Sequence, residues 1–343
     1  MSPFDDIRAL AQSAPQGDLA ARDAAIERQQ KLVQAPGGLG RLSDAAIWLA
    51  QWQGRTPPKI DKPMVAIFAS SHGVTRQGVA FETPEATKKM VELLRTGGAA
   101  TNHIAASAGA GLRVFEMALD KPTGDISVEP AMSERECAAT IAFGMEAIAE
   151  KPDLLVLGET GVGGGTAAAA VACAMFGGNA NYWVRAGAWV PSNIVQARVG
   201  AVQAAMKTHR GNFSDPLEIL RRVGGREIAA LVGAILAARL QGVPVVLDVF
   251  STTVAAALVH ALKPGCADHC IAGHLSSEPA HQALLDRLNQ KPLMNIGLRC
   301  SEGAGASSAI GFLKAACAAH EHAQTAEEAG WSRFSEIEPA ENA

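Results

Sequence analysis

Leu154-Leu155-Val156-Leu157-Gly158-Glu159-Thr160-Gly161-Val162-Gly163-Gly164-Gly165-Thr166 is the stretch on which the reading of this chain turns. The apolar run at its start predicts a short buried strand, and Ala167 to Phe176 beyond it predicts a helix. Strand, glycine turn and helix in that order bring unpaired backbone N–H groups and the positive end of a helix dipole to one point. Five of the nine residues from Gly158 to Thr166 are glycine, so the backbone can approach a ligand closely and take positive φ where a turn needs it. A phosphate or another anion is the expected guest; a glycine turn that only packs is the alternative. Glu159 favours the ligand, because a carboxylate at the strand end does not help to bind phosphate and must face another group.

The composition narrows the class. Charged residues make up 19% of the 343 residues and aromatics 5%, with abundant alanine and glycine, as in a tightly packed helix-and-sheet enzyme. A net charge of −4, without any lysine or arginine block, gives no electrostatic reason to expect nucleic acid or an anionic membrane as partner. The six cysteines sit in apolar or small-residue runs and read as buried thiols of a reducing compartment. The acidic start Met1-Ser2-Pro3-Phe4-Asp5-Asp6 lacks the layout of a signal peptide. Thr160 to Val184 carries no charge, but its glycines and central alanines argue against a membrane span, and a cytoplasmic protein is expected.

Along the chain, helical patterns around Leu19 to Leu32 and through Leu49 and Trp52 precede a proline linker at Arg55-Thr56-Pro57-Pro58-Lys59. Strands are predicted at Met64 to Ser70, Leu112 to Met117, Leu154 to Leu157, Val243 to Phe250, Cys270 to Ala272 and Leu293 to Leu298, with helices between them. Continuous apolar strands alternating with helices predict an α/β fold with a mostly parallel sheet covered on both faces. Ligands of such folds bind beyond the carboxyl ends of the strands.

Four loops at those ends carry polar chemistry: Ser70-Ser71-His72-Gly73, Gly158-Glu159-Thr160-Gly161, His274-Leu275-Ser276-Ser277-Glu278 and Ser301-Glu302-Gly303-Ala304-Gly305. Converging, they would give carboxylates, hydroxyls and backbone donors with little positive charge. Such a site suits a phosphomonoester and a reacting centre that must lose a proton, with a glutamate as general base. Two competing readings exist. Cys266, His269, Cys270 and His274 have a superficial zinc-ligand spacing, although a tetrahedral site would be hard to close there. Asp248 in Val245-Val246-Leu247-Asp248-Val249-Phe250-Ser251-Thr252-Thr253 weakly resembles the ribose-phosphate loop of diphosphate-dependent phosphoribosyltransferases, which would bring magnesium.

Several motifs together carry a more specific resemblance. Pro36-Gly37-Gly38-Leu39-Gly40-Arg41-Leu42, His72-Gly73-Val74, Gly97-Gly98-Ala99-Ala100, Gly158 to Gly163, Gly273-His274-Leu275-Ser276-Ser277-Glu278-Pro279 and Glu302-Gly303-Ala304-Gly305-Ala306 occur in that order. Over residues 20–320 the chain resembles the nicotinate-nucleotide:dimethylbenzimidazole phosphoribosyltransferase family. The resemblance implies a large Rossmann-like catalytic domain over residues 56–304, a small helical domain built from 1–55 and about 305–343, and a homodimer. It implies transfer of ribose 5-phosphate from nicotinate mononucleotide to dimethylbenzimidazole or a similar base, with inversion, without metal or other cofactor. Glu302 matches the catalytic base. Glu159, with Ser71 and His72, matches the base-binding side; Gly161, Gly163, Gly164, Gly165, Thr166, Ser276 and Ser277 match the nucleotide and phosphate side. The chain departs from the family pattern where Gly164-Gly165 replaces Asn-Thr and at Arg185-Ala186-Gly187-Ala188-Trp189. These departures leave a second reading, a non-catalytic relative that binds base or nucleotide as carrier or regulator.

Overall fold

The computed structural model describes residues 2–35, 37–184 and 190–331; Pro36 and the departing segment 185–189 lie outside the described residues. Five strands, β1 (Pro63–Ser70), β2 (Gly111–Met117), β3 (Leu154–Thr160), β4 (Val245–Leu247) and β5 (Cys270–Ala272), form one parallel sheet in the order β2-β1-β3-β4-β5. Its register runs straight across, with Ala66 beside Leu157, Leu157 beside Leu247 and Leu247 beside Ala272.

The unbroken apolar runs of β1 and β3 follow from burial on both faces. Ala66 and Phe68 of β1 and Leu155 and Leu157 of β3 join the core formed with helices Glu134–Gly144, Arg226–Gln241 and Phe250–Leu262. Ala69, on the opposite side of β1, packs with Val91 of the helix Glu85–Arg95. At the sheet edge β2 alternates buried and exposed residues, and its Arg113 pairs with Glu150 at 3.1 Å. Charge there discourages pairing with another chain.

Two helices of the core meet backbone to backbone. A Cβ on Gly144 would lie 1.9 Å from the Ala230 carbonyl oxygen, and one on Gly233 would lie 1.8 Å from that of Ile141. Only glycine fits at either point.

The expected strand over 293–298 is absent. Met294 forms a single bridge to His274, Gly297 turns the chain at φ +69°, and Ile296 is exposed. The strand expected over 243–250 shortens to three residues because the chain turns at Asp248 into the helix Phe250–Leu262. Among the described residues no helix is long and apolar enough to cross a membrane. The charge-free stretch is instead the end of β3 and the buried helix Gly164–Phe176.

The chain forms two compact units, Met1–Pro15 with Lys62–Ala309, and Gln16–Asp61 with Ile310–Ala343. The first fifteen residues thus group with the sheet, unlike the boundary expected from sequence, because Phe4, Ile7 and Ala11 are buried in its core. In the second unit, the helix Leu19–Lys31 packs with Arg41–Gln53. Its Arg28 donates to the carbonyls of His320 (2.5 Å) and Glu321 (2.8 Å) at a helix carboxyl end.

Gly233→Ala is expected to lower unfolding stability by about 2–3 kcal/mol, the cost of overpacking a rigid contact. Gly200, also helical but with nothing within 4 Å of its missing Cβ, is the control: Gly200→Ala should be neutral or stabilise by up to about 1 kcal/mol. Urea denaturation midpoints of the two variants check the pair.

Candidate active site

The strand order reverses direction between β1 and β3, the crevice where open α/β sheets bind ligands. Beyond β3 the chain turns at Gly161, whose Cβ, if present, would lie 2.5 Å from the Ser70 carbonyl oxygen. Gly163 takes φ +98°, and the helix begins at Gly164. Gly164 N–H donates back to Gly161 (3.0 Å), and Val162 N–H donates to Thr87 Oγ1 (3.1 Å). The Thr166 hydroxyl in the first helical turn is buried without a hydrogen-bond partner among the described residues. A helix start with an orphaned hydroxyl is suited to phosphate oxygens.

The second half of the site is the Ser301–Gly305 loop. Glu159 N–H donates to the Ser301 carbonyl (3.2 Å), and Gly158 lacks the Cβ that would come within 2.6 Å of Gly303 N. Asp248, fully buried at the end of β4, accepts from Gly303 N–H (3.0 Å) and Ala306 N–H (2.8 Å). His274 Nε2 lies 3.3 Å from Asp248 Oδ1 without hydrogen-bond alignment, and its ring rests against Gly305.

These loops enclose a cavity of about 350 Å³. Glu159 and Glu302 both line it, as do Gly161, Gly163, Gly165 and Thr166 on one side and Ser276 and Ser277 on another. Ala80, Ala86, Met90 and Val162 give it an apolar wall. The serine loop is held by His281. Its Nδ1 accepts from Ser276 N–H (3.1 Å), so Nε2–H donates to Thr253 Oγ1 (3.0 Å). Burial keeps this ring neutral by lowering its pKa to about 3.

A family profile described as Phosphoribosyltransferase matches residues 14–331. A relative from Sinorhizobium medicae, named nicotinate-nucleotide–dimethylbenzimidazole phosphoribosyltransferase, is 51% identical over 96% of this chain and 97% of its own. One of the same name from Rhizobium meliloti is also 51% identical, with the same coverage. The chain belongs to this family. A crystal structure of the enzyme of that name from Thermus thermophilus superposes with a TM-score of 0.85 at 34% identity, covering 92% of this chain and 99% of that one. The family is one of pentosyl-transferring enzymes, and this member has its α/β fold.

Within this family fold the site differs from the sequence reading in three ways. Ser71 and His72 do not line the cavity: Ser71 Oγ donates to the Leu119 carbonyl (2.8 Å), and His72 is buried against Glu227 at 3.2 Å. Gly164 is also behind the wall. A Cβ there would lie 3.4 Å from His72 Nε2 and 3.6 Å from both Glu159 Oε2 and Glu227 Oε1, so it would point into the carboxyl cluster and away from a phosphate. Nor is the cavity short of positive charge, since Arg198 and Arg299 both line it. The zinc-like spacing leads to no cluster. Among the described residues no group of three His, Cys, Asp or Glu could hold a metal ion, and His269 bonds the Ile235 carbonyl (3.0 Å).

Sequence reading missed Glu227, Ser251 and Arg198. Glu227 and Arg198 stand in ordinary helical patterns, where nothing but the fold reveals what they face. Ser251 was visible only as part of the Asp248 stretch; its hydroxyl donates to Glu159 Oε1 (2.8 Å).

The carboxyl groups differ in state. Burial, then the nearby Glu227, Glu278 and Glu302, hold the Glu159 pKa well above the usual range despite the Ser251 bond. Glu227 goes the other way: burial opposes its charge, but attraction to His72 and hydrogen bonds from His72 and Ser70 outweigh that and lower its pKa. Burial raises Glu278 despite help from Ser276 and Arg198. Glu302 is raised by burial first and by Asp248 as well, against its backbone hydrogen bonds.

A folded-state pKa raised above the unfolded value means that the folded chain holds a proton the unfolded chain releases. Stability from Glu159 is therefore fully present below its ordinary value of 4.5 and is lost as pH rises toward its folded value. Glu159→Gln, which mimics the protonated carboxyl, should match wild type in stability at pH 4 and exceed it increasingly toward pH 8. Denaturation midpoints measured across that range on both proteins check this.

Proposed function

We propose that the protein transfers the 5-phosphoribosyl group of nicotinate mononucleotide to dimethylbenzimidazole or a similar base, giving α-ribazole phosphate and nicotinate for the lower ligand of cobalamin. The observation that carries the reading is that Glu302, half-buried with a raised pKa, lines the same cavity as the glycine helix start.

The phosphate fits the helix start at Gly163 and Gly165, with the Thr166 hydroxyl and the Arg198 guanidinium beside it. The base fits the apolar wall at Ala86, Met90 and Val162. A lone pair of one ring nitrogen of the base forms the new bond to the anomeric carbon. The electron pair of the breaking ribosyl–nicotinate bond returns to the pyridine nitrogen, which leaves neutral. The N–H proton on the other nitrogen of the base passes to Glu302. Attack opposite the leaving group inverts the anomeric carbon. Because the pyridinium is already a good leaving group, orientation and one proton acceptor suffice.

The larger unit acts as the catalytic domain of a cytoplasmic homodimer on this reading. The purified protein with nicotinate mononucleotide and dimethylbenzimidazole should release nicotinate and give a product of ribazole phosphate mass. Tight base binding without turnover would overturn it. Glu302→Gln should lower kcat by about 10²–10⁴-fold, the range for a lost general base. Since the base must be unprotonated, wild-type kcat should fall as pH drops through a Glu302 pKa above the ordinary 4.5, and a pH–rate profile reads that limb directly.

A further inference from the structure

The segment leading to Glu302 is held by backbone carbonyls, Leu298 accepting from Ser277 N–H (3.1 Å) and Ser301 from Glu159 N–H (3.2 Å). Residues 295–297 are exposed, between the bridge at Met294 and the bond at Leu298, and Arg299 and Cys300 are exposed too. Past Glu302 the chain is tied at two further points, both to one side chain. Asp248 spans from Gly303 N–H to Ala306 N–H with its two oxygens, a carboxylate from β4 capping the helix Ala304–His322 at its first turn. A carboxylate at that place also meets the positive end of the helix dipole. Glycines let the parts close: Gly303 takes φ +81°, and a Cβ on Gly305 would lie 2.1 Å from the His274 ring. Asp248 is fully buried, does not line the cavity and has no place in the transfer described above.

We propose that Asp248 is the positioning residue for Glu302, its carboxylate clamping the Gly303 and Ala306 amides so that Glu302 meets the incoming base. The inference rests on Glu302 being the general base. Asp248 acts through the loop and touches no substrate. It also adds negative charge near Glu302, whose other titratable neighbours are Glu159 from β3, Arg299 and Cys300 on its own loop, and Glu278 and Arg198 around the cavity.

Three measurements on the full chain test this. In wild type, hydrogen exchange should show the Gly303 and Ala306 amides protected; fast exchange at either overturns the clamp without any variant. Asp248→Asn, which offers one acceptor and one NH₂ to two N–H donors, should speed exchange at both amides. It should also lower kcat by about 10²-fold, the scale of a small misplacement of reacting groups, with KM for nicotinate mononucleotide little changed. With the negative neighbour gone, the acid limb of the pH–rate profile should move to lower pH, a shift that mere loss of stability would not cause. Gly305→Ala keeps the charge but drives a methyl into His274, so kcat should fall with the limb unmoved. Wild-type kcat in either variant despite faster exchange, or an unmoved limb in Asp248→Asn, overturns the proposal. Loss of all transfer in wild type itself would instead count against Glu302 as base, leaving the exchange result to judge the clamp alone.

Discussion

Five carboxyl groups converge on the carboxyl edge of a buried parallel sheet, and the site is organised by how each is kept from repelling the others. Glu159, Glu227, Glu278, Glu302 and Asp248 are supplied by five separate segments. In a medium of low dielectric they cannot all be charged without partners. Glu227 is given His72 and the Ser70 hydroxyl. Asp248 is given two backbone N–H groups. Glu159, left with one hydroxyl from Ser251, has its pKa held well above the usual carboxyl range. The result is a graded set, with the raised Glu159 and Glu302 lining the cavity and the lowered Glu227 behind it.

That grading depends on backbones approaching more closely than side chains would permit. Gly158 lets the Ser301–Gly303 loop lie on β3, and Gly161 lets the phosphate-side turn rest on the Ser70 carbonyl. Gly225 makes room for both oxygens of Glu227 and for the His72 ring, each within 2.5 Å of where its Cβ would be. Further from the chemistry, Gly144 and Gly233 bring two core helices into direct backbone contact behind the same sheet. A rigid floor of this kind holds donors and acceptors in place before a ligand arrives, which is how electrostatic groups contribute most to catalysis.

The departure at Gly164 takes on a different meaning in this setting. In the sequence it reads as the loss of a donor from a phosphate loop. In three dimensions a side chain there would face His72, Glu159 and Glu227, so its absence leaves the Gly163, Gly165 and Thr166 face intact. The arginine at position 198 reaches the cavity from the middle of the helix Ser192–Thr208. It supplies positive charge that the strand-end loops lack.

By itself the sequence determined the alternating α/β architecture, the glycine turn after β3 and the order of the motifs, because each is written in a short run of neighbouring residues. Apolar strands, a glycine cluster and a Glu-Gly-Ala-Gly stretch are legible wherever they occur, and they led to Glu159, Glu302, Thr166 and the two serines that line the cavity. Only the tertiary structure decided that His72 belongs to Glu227, that Asp248 holds a loop 55 residues away, and that the first fifteen residues join the sheet unit. Such pairings depend on which side of a strand or helix a residue faces and on what the fold brings opposite it. Long-range contact of that kind leaves no local pattern in the chain, whereas secondary structure and turns do.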